Sequence, residues 1–282
     1  MRSKYVNPFT DFGFKKIFGE EASKTLLMDF LNAILPPHAQ ITSLSFKNTE
    51  QLGNASVDRK AIYDIYCENE KGEKFIVELQ KAKQNYFKER TIYYSSFPIR
   101  EQGEKGEWNF NLKAVYCIGL LDFTFDDHNE SDKDQVVHEI KLRNQSGKTF
   151  YEKLTYIYLE MPNFNKSEAE LETRLDKWLY FIKHLSDLQQ IPQIFRDEAV
   201  FVQAFGKAEL SNLNHDERDS YENSLKYYRD LKNVIDTAKD EGWVGGKAEG
   251  KTEVAKALKE SKIPLDIIIK TTGLTEEQIN ML

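Results

Sequence analysis

The sequence predicts an α/β fold, in which a β-sheet is flanked by helices and followed by a helical C-terminal region. Near the N-terminus, apolar residues recur at three- and four-residue steps, which is typical of amphipathic helices. The middle of the chain carries short alternating or continuously apolar runs, which are typical of strands. After Pro162 the composition shifts to helix-forming residues, and no further strand is needed.

Proline and glycine residues mark the ends of several predicted elements. Pro36 and Pro37 end the first helical pattern, and Gly19 divides it into two helices. The full order is two helices within 7–35, an extended segment at 41–46, strands at 62–67 and 75–80, a helix at 86–100 that ends near Pro98, a strand at 112–121, strands at 136–142 and 154–159 joined across Gly147, and helices at 168–188, 193–205 and 215–241. The strand at 112–121 is almost entirely apolar, so we expect it at the centre of the sheet.

This order divides the chain into a core at 1–162, a helical extension at 163–240 and a small helical module at 241–282. In that module, Pro264 and Gly273 separate three short helical pieces. A helix-turn-helix-like DNA module is one interpretation, but no obvious recognition helix carries many basic residues. We prefer a tail for oligomerisation or partner docking, and expect a homo-oligomer formed through these helices.

The composition is that of a soluble globular protein. Of its 282 residues, 40% are hydrophobic, with 18 Phe and 14 Tyr, enough to build a packed interior. No run approaches the roughly 18 apolar residues of a membrane span, and residues 1–19 contain no apolar signal core, so we expect a cytoplasmic protein without membrane contact. Cys67 and Cys117 lie in strand-like runs without metal-type spacing, and we expect buried thiols.

A net charge of −7 argues against general adhesion to nucleic acid, because phosphate binding draws on clustered Lys and Arg. Between residues 81 and 105, however, basic residues outnumber acidic ones. Any contact with DNA is therefore expected to be local.

A tight turn fixes the register between the strands at 62–67 and 75–80. Residues 70–72 suit a three-residue connection whose last position is left-handed, a conformation that glycine adopts without steric cost. Counting back from this turn places Asp64 directly opposite Glu78, and Gln80 shares the face of Glu78. Two facing carboxylates destabilise a sheet unless a cation compensates, and oxygen ligands suit a hard ion such as Mg²⁺.

The acidic pair has a second interpretation. Asp64 and Glu78 could lie on a solvated face of the sheet, where acidic residues are common. A two-residue turn would also shift the register by one residue and separate them. The spacing alone leaves both interpretations open.

Several segments resemble one family. They are Asp64 followed by Glu78-Leu79-Gln80 (D…ExQ), residues 11–18 (D-x-x-FK-x-x-F), the helix with Arg90, Tyr93 and Tyr94, and the Thr-Gly-Leu-Thr-x-Glu-x-Ile tail at 272–279. This combination, which spans nearly the whole chain, is similar to the recombination-promoting nuclease/putative transposase family of the PD-(D/E)XK nuclease superfamily.

The resemblance implies a PD-(D/E)XK, restriction-endonuclease-like core with a mixed central sheet flanked by helices. It implies that Asp64, Glu78 and Gln80 form the catalytic set, and that Asp64, Glu78 and the backbone carbonyl of Leu79 hold Mg²⁺, with Mn²⁺ as an alternative. The implied activity is endonucleolytic hydrolysis of double-stranded DNA, linked to recombination or mobile elements. The ion would lower the pKa of a bound water and neutralise charge on the scissile phosphate.

Gln80 occupies the position where the superfamily usually has lysine. An amide forms hydrogen bonds but supplies no positive charge. Lys60 has the strand parity of Asp64, and Lys81 and Lys83 follow the hairpin closely. Each is a candidate for the missing charge, although an exposed surface role fits each of them as well.

Other residues are open to two interpretations. Asp11 either approaches the metal or caps the first helix, and helix-capping preference favours the cap. Arg90 either contacts a phosphate or pairs with a nearby Glu. Tyr93 and Tyr94 are expected to pack rather than to stack on bases. No metal-ligand spacing is present among His128, His138, His184 and His215.

The leading hypothesis is therefore a Mg²⁺-dependent DNA endonuclease. The alternative is a non-catalytic scaffold that keeps the nuclease fold and binds DNA or protein. The missing lysine and the net negative charge motivate that alternative.

Overall fold

The computed structural model describes residues 3–51 and 61–282. The chain divides into two compact units, Met1–Tyr228 and Arg229–Leu282. The first unit contains a mixed six-stranded sheet with helices on both faces, which confirms the predicted α/β fold. No helix in the described part of the chain is long and apolar enough to cross a bilayer. The three-part division at 162 and 240 stays a prediction.

The sheet has the order β1-β4-β5-β6-β8-β7, and β2 pairs with β3 in a separate ladder. Strands β5, β6 and β8 are parallel, and the other pairings are antiparallel. The strands are β1 (Leu44–Phe46), β2 (Glu50–Gln51), β3 (Ala61–Ile62), β4 (Ile65–Asn69), β5 (Lys74–Gln80), β6 (Val115–Leu121), β7 (Val137–Arg143) and β8 (Thr149–Glu160). Every residue of β6 is buried, which confirms the predicted central strand.

Helices of the first unit cover both faces of this sheet, and further helices form the second unit. They are α1 (Asp11–Phe18), α2 (Lys24–Ile34), α3 (Phe87–Arg100), α4 (Arg174–His184), α5 (Gln193–Arg196), α6 (Ala199–Ala208), α7 (His215–Glu260), α8 (Leu265–Thr272) and α9 (Glu276–Asn280). One face packs against α1, α2, α4 and α6 through residues such as Val77 and Ile118. The other face packs against α3 through residues such as Ile76 and Cys117. Both cysteines are buried free thiols, as predicted.

Two pairs of hydroxyl groups fix α3 along β8. The Thr91 hydroxyl lies 2.8 Å from the Tyr158 hydroxyl, and the Ser95 hydroxyl lies 2.7 Å from that of Tyr156. The partners are one turn apart on the helix and two residues apart on the strand, so both pairs form on one face of each element. The helix extends two residues beyond Pro98, where the sequence predicted its end.

Helix α7 continues past Gly242, Gly245 and Gly250, whereas the predicted helix ends at residue 241. A glycine in a helix interior costs about 1 kcal/mol relative to alanine, and the Lys, Ala and Glu residues around these positions favour helix strongly enough to offset it. The end of α7, α8 and α9 pack around a small core of Ala255, Ile268 and Ile279 in the second unit. They correspond to the three predicted helical pieces.

Candidate active site

A three-residue turn sets the register of the β4–β5 hairpin. Asn69 N–H donates to the Glu73 carbonyl at 3.1 Å, and Gly72 N–H donates to the Asn69 carbonyl at 3.0 Å. Gly72 has a φ of +78°, the left-handed conformation that the predicted turn requires. The ladder keeps this register as far as Ile65 and Val77, and Asp64 and Glu78 are the next residues along the two strands, in agreement with the predicted register.

The predicted continuous strand at 62–67 is wrong, because the chain breaks between β3 and β4 at Tyr63 and Asp64. Tyr63 N–H donates to the Thr49 carbonyl at 2.9 Å instead of pairing with β5. The Tyr63 ring packs beside Tyr66 on the face that α3 covers. The β2–β3 ladder thus draws the chain away from the sheet, and Asp64 lies at the point of divergence.

The divergence leaves the backbone of Leu79 facing Asp64. The backbone N–H of Lys74 and the backbone carbonyl of Gln80 bond toward β6, at 2.8 and 2.9 Å. Because successive peptide groups of a strand point to opposite sides, Leu79 directs its N–H and carbonyl toward β4. Asp64 Oδ2 accepts the Leu79 N–H at 2.8 Å, in place of a strand partner.

The two carboxyl groups share a partly buried and electrostatically unbalanced position. Asp64 N–H donates to Glu78 Oε1 at 3.2 Å. Burial raises the pKa of both carboxyls, and the Asp64 charge raises that of Glu78 further, whereas the Leu79 N–H and the Lys15 ammonium act to lower the pKa of Asp64. The protein alone therefore does not balance two negative charges here. Their oxygen donors suit a hard divalent cation.

Two cations flank the acidic pair. Lys15 Nζ lies 3.8 Å from Asp64 Oδ1. The Arg90 guanidinium lies near enough to Glu78 to act to lower the pKa of its carboxyl. Positive charge is therefore present beside both carboxylates, supplied by α1 on one side and α3 on the other.

Gln80 is buried, and its amide is engaged at both ends. Its Oε1 accepts from the Arg90 guanidinium, and its Nε2 donates to the Ala82 carbonyl at 2.8 Å. Arg90 also donates to Gln84 Oε1. The Gln80 side chain therefore orients a guanidinium.

The predicted capping role of Asp11 is wrong. Thr10 caps α1, since its Oγ1 accepts from Gly13 N–H at 3.0 Å. Asp11 accepts instead from Lys81 Nζ at 2.7 Å, and its charge acts to raise the pKa of Asp64. Asp11 and Lys81 thus form a neutral pair at the edge of the acidic pair.

The remaining predicted residues have other partners where the structure describes them. Lys83 forms an ion pair with Asp126 on the exposed surface. Lys60 lies outside the described residues. Tyr93 and Tyr94 contact neighbouring aromatic rings, in agreement with the predicted packing.

Sequence reasoning missed two features. Lys15 lies one helical turn after Asp11 on α1, and the phenylalanine-lysine step of the N-terminal signature was the signal that could have identified it. His128, His138 and Glu160 lie together on the face that α3 covers, with one potential ligand atom of each within 4.8 Å of the others. These three come from a loop, a strand and the end of another strand, so no local spacing could reveal them.

Comparison of the sequence with known proteins identifies one family. A family model described as PD-(D/E)XK nuclease family transposase matches residues 8–238. That range includes the D-x-x-FK-x-x-F segment, the hairpin and α3. No curated protein and no solved structure matches the chain.

Proposed function

Because the chain belongs to the PD-(D/E)XK nuclease family of transposases, we propose that it is a Mg²⁺-dependent endonuclease acting on double-stranded DNA in recombination or mobile-element transposition. The opposed carboxylates of Asp64 and Glu78 are the observation that carries this proposal. The Leu79 carbonyl, directed to the same side, completes a set of oxygen donors. Mn²⁺ would fit the same donors.

The protein prepares these donors before any ion binds. The Leu79 N–H holds one oxygen of Asp64, and the Asp64 N–H holds one oxygen of Glu78. Each carboxylate therefore keeps a second oxygen for the ion with little reorganisation. A divalent ion held there lowers the pKa of a coordinated water and neutralises charge on the scissile phosphate.

Arg90 replaces the lysine that Gln80 does not supply. Gln80 is a positioning residue in this proposal, because its amide oxygen accepts from the Arg90 guanidinium, whose charge acts on Glu78. A guanidinium can bind two phosphate oxygens at once, which suits a DNA backbone. Lys15 adds a second positive charge on the Asp64 side.

The test is nicking of supercoiled plasmid by the purified full chain with Mg²⁺ or Mn²⁺. Asp64→Asn and Glu78→Gln remove one charge each while keeping the shape of the side chain. We expect each to lower the rate by roughly 100-fold or more, since even contacts outside a metal's ligand set are worth about 10- to 100-fold.

Glu89→Gln is the matched control, because Glu89 is an exposed carboxylate on α3 and its loss should leave the rate unchanged. A wild-type protein that leaves plasmid intact, or an Asp64→Asn variant that cuts at the wild-type rate, contradicts the proposal. Binding of DNA without cutting by the wild type would favour the non-catalytic scaffold.

A further inference from the structure

A buried carboxylate and two histidines form a second cluster, near the far edge of the same sheet from the acidic pair. The Glu160 side chain is fully buried at the end of β8. Its Oε1 lies 2.8 Å from His128 Nε2, and its Oε2 lies 3.6 Å from His138 Nε2. The two imidazole rings stack at a centroid distance of 4.8 Å. Three nitrogen and oxygen donors therefore converge on one point.

Contacts from the surrounding chain hold the Glu160 carboxylate in place. Its Oε1 accepts from Phe125 N–H at 2.8 Å, and its Oε2 accepts from Asn163 Nδ2 at 2.9 Å. His138 is held on β7 by its pairing with Tyr158. Protein contacts thus orient the Glu160 carboxylate, and His138 Nε2 lies 3.1 Å from the Gln135 carbonyl, a contact that a bound metal ion would replace.

Asp132 supplies an independent sign of a missing partner. Its Oδ1 is buried and has no hydrogen-bond partner among the residues that the structure describes, and its Oδ2 lies 4.0 Å from His128 Nδ1. A metal-bound imidazole usually presents its second nitrogen to a carboxylate, which fixes the ring and raises its basicity. Asp132 Oδ2 lies on the Nδ1 side of His128, so a small rotation of the Asp132 side chain would let it accept from that nitrogen.

A cleft of about 650 Å³ opens beside the cluster, between α3 and β7. Both histidines line it, together with Lys88, Thr91 and Tyr158. A donor set with an open side leaves room for a water or a small ligand in a fourth position, as in zinc sites with three protein ligands.

We propose that His128 Nε2, His138 Nε2 and the Glu160 carboxylate bind a transition-metal ion of the Zn²⁺ class. Two imidazoles favour Zn²⁺ over Mg²⁺, which prefers oxygen ligands. Tetrahedral binding at about 2.0 to 2.1 Å holds ligand atoms roughly 3.3 Å apart, so small side-chain rotations bring the three donors into range.

This site is separate from the acidic pair. Glu78 pairs with Gly119, Gly119 pairs with Tyr158, and Tyr158 pairs with His138. Three strand steps of about 4.8 Å place the two sites about 14 Å apart. The two sites should therefore load independently, and the proposal does not depend on nuclease activity.

Equilibrium dialysis of the chelator-stripped full chain against Zn²⁺, with Co²⁺ absorbance as a second readout, tests the proposal. We expect one equivalent to bind at micromolar Zn²⁺. His128→Gln and His138→Gln should each weaken binding by roughly tenfold or more, and Asp132→Asn by about tenfold with the ligands intact. The double variant Asp64→Asn/Glu78→Gln should bind Zn²⁺ as the wild type does.

His215→Ala controls for loss of a histidine, because His215 is exposed on α7 and distant in sequence from the cluster. Near-ultraviolet circular dichroism checks that each variant is folded. Asp132→Asn keeps the test decisive if a histidine variant fails to fold. Failure of the wild type to bind Zn²⁺, equal binding by the folded cluster variants, or loss of binding in the Asp64/Glu78 double variant would each overturn the proposal.

Discussion

At the scale of single residues, Glu78 should make the stability of the fold depend on pH. Because its pKa is raised, the folded protein keeps a proton that the unfolded chain releases above the ordinary glutamate pKa of about 4.3. The free energy of unfolding in chelator should therefore fall as pH rises from that value toward the raised one, by up to about 1.4 kcal/mol per pH unit. Urea denaturation at a series of pH values measures this slope.

Glu78→Gln should flatten this part of the slope, because the amide does not titrate and still accepts from Asp64 N–H. The exposed Glu89→Gln should keep the wild-type slope. Added Mg²⁺ should stabilise the wild type more at higher pH, where the competing proton has left. A wild-type stability that rises with pH over the same window, relative to Glu78→Gln, would contradict the assignment.

Gln80 and Asp11 show which properties of a residue can be predicted from the sequence alone. The sequence could identify Gln80 as the amide in the usual lysine position, but not Arg90 as its partner, because that bond joins β5 to α3 through the tertiary fold. Asp11 looked like a helix cap because acids are favoured there, yet the preceding Thr10 takes that position. The sequence therefore identifies which residue types stand at these positions, but their hydrogen-bond and ion-pair partners depend on the packing of the folded chain.

At the scale of elements, Gly119 in β6 leaves room for the ring of Tyr158 on the neighbouring strand β8. A Cβ at this position would lie 2.9 Å from Tyr158 Cδ1, and Tyr158 bonds to Thr91 on α3. We expect Gly119→Ala to destabilise the protein by about 1 to 3 kcal/mol, since the ring must move in a packed interior. Chemical denaturation measures this loss.

In the same unit, Gly206→Ala should have the opposite effect on the stability of the protein. Gly206 lies in α6 with open space around its Cα, so alanine should stabilise by roughly 0.5 to 1 kcal/mol. If both substitutions changed the free energy of unfolding in the same direction, the contact between Gly119 and Tyr158 would not explain the loss of stability in Gly119→Ala.

The elements also show why the hairpin was predictable and its break was not. The register follows from three residues of turn chemistry around Gly72, which is local information. The divergence at Tyr63 depends on its bond to Thr49, fourteen positions away, and on a second ladder that alternation cannot reveal. The predicted helix at 215–241 is shorter than α7 for a local reason. The glycines at its end lower helix propensity, but the Lys, Ala and Glu residues around them favour helix strongly enough to continue it.

At the scale of the whole molecule, a net charge of −7 has to be reconciled with the proposed DNA substrate, which is a polyanion. Lys81 is paired with Asp11. Among the residues that the structure describes, Lys15 lies 3.8 Å from Asp64, and the charge of Arg90 acts to lower the pKa of Glu78. Binding of DNA should therefore depend on a few local contacts and on the bound ion, with little help from the rest of the surface.

The salt dependence of DNA binding tests this distribution of charge. Each phosphate contact contributes about 0.9 to the slope of log K against log salt concentration, so Arg90→Ala and Lys15→Ala should each reduce the slope by about 0.9. Lys153→Ala should leave it unchanged, because Lys153 adjoins Leu154, which pairs with the first residue of β6 at the opposite end of the sheet. Fluorescence anisotropy with a labelled duplex in chelator, where no cutting occurs, gives the slopes. Equal reductions for all three variants would mean that DNA is held by charge spread over the surface, and the assignment of Arg90 to the site would fail.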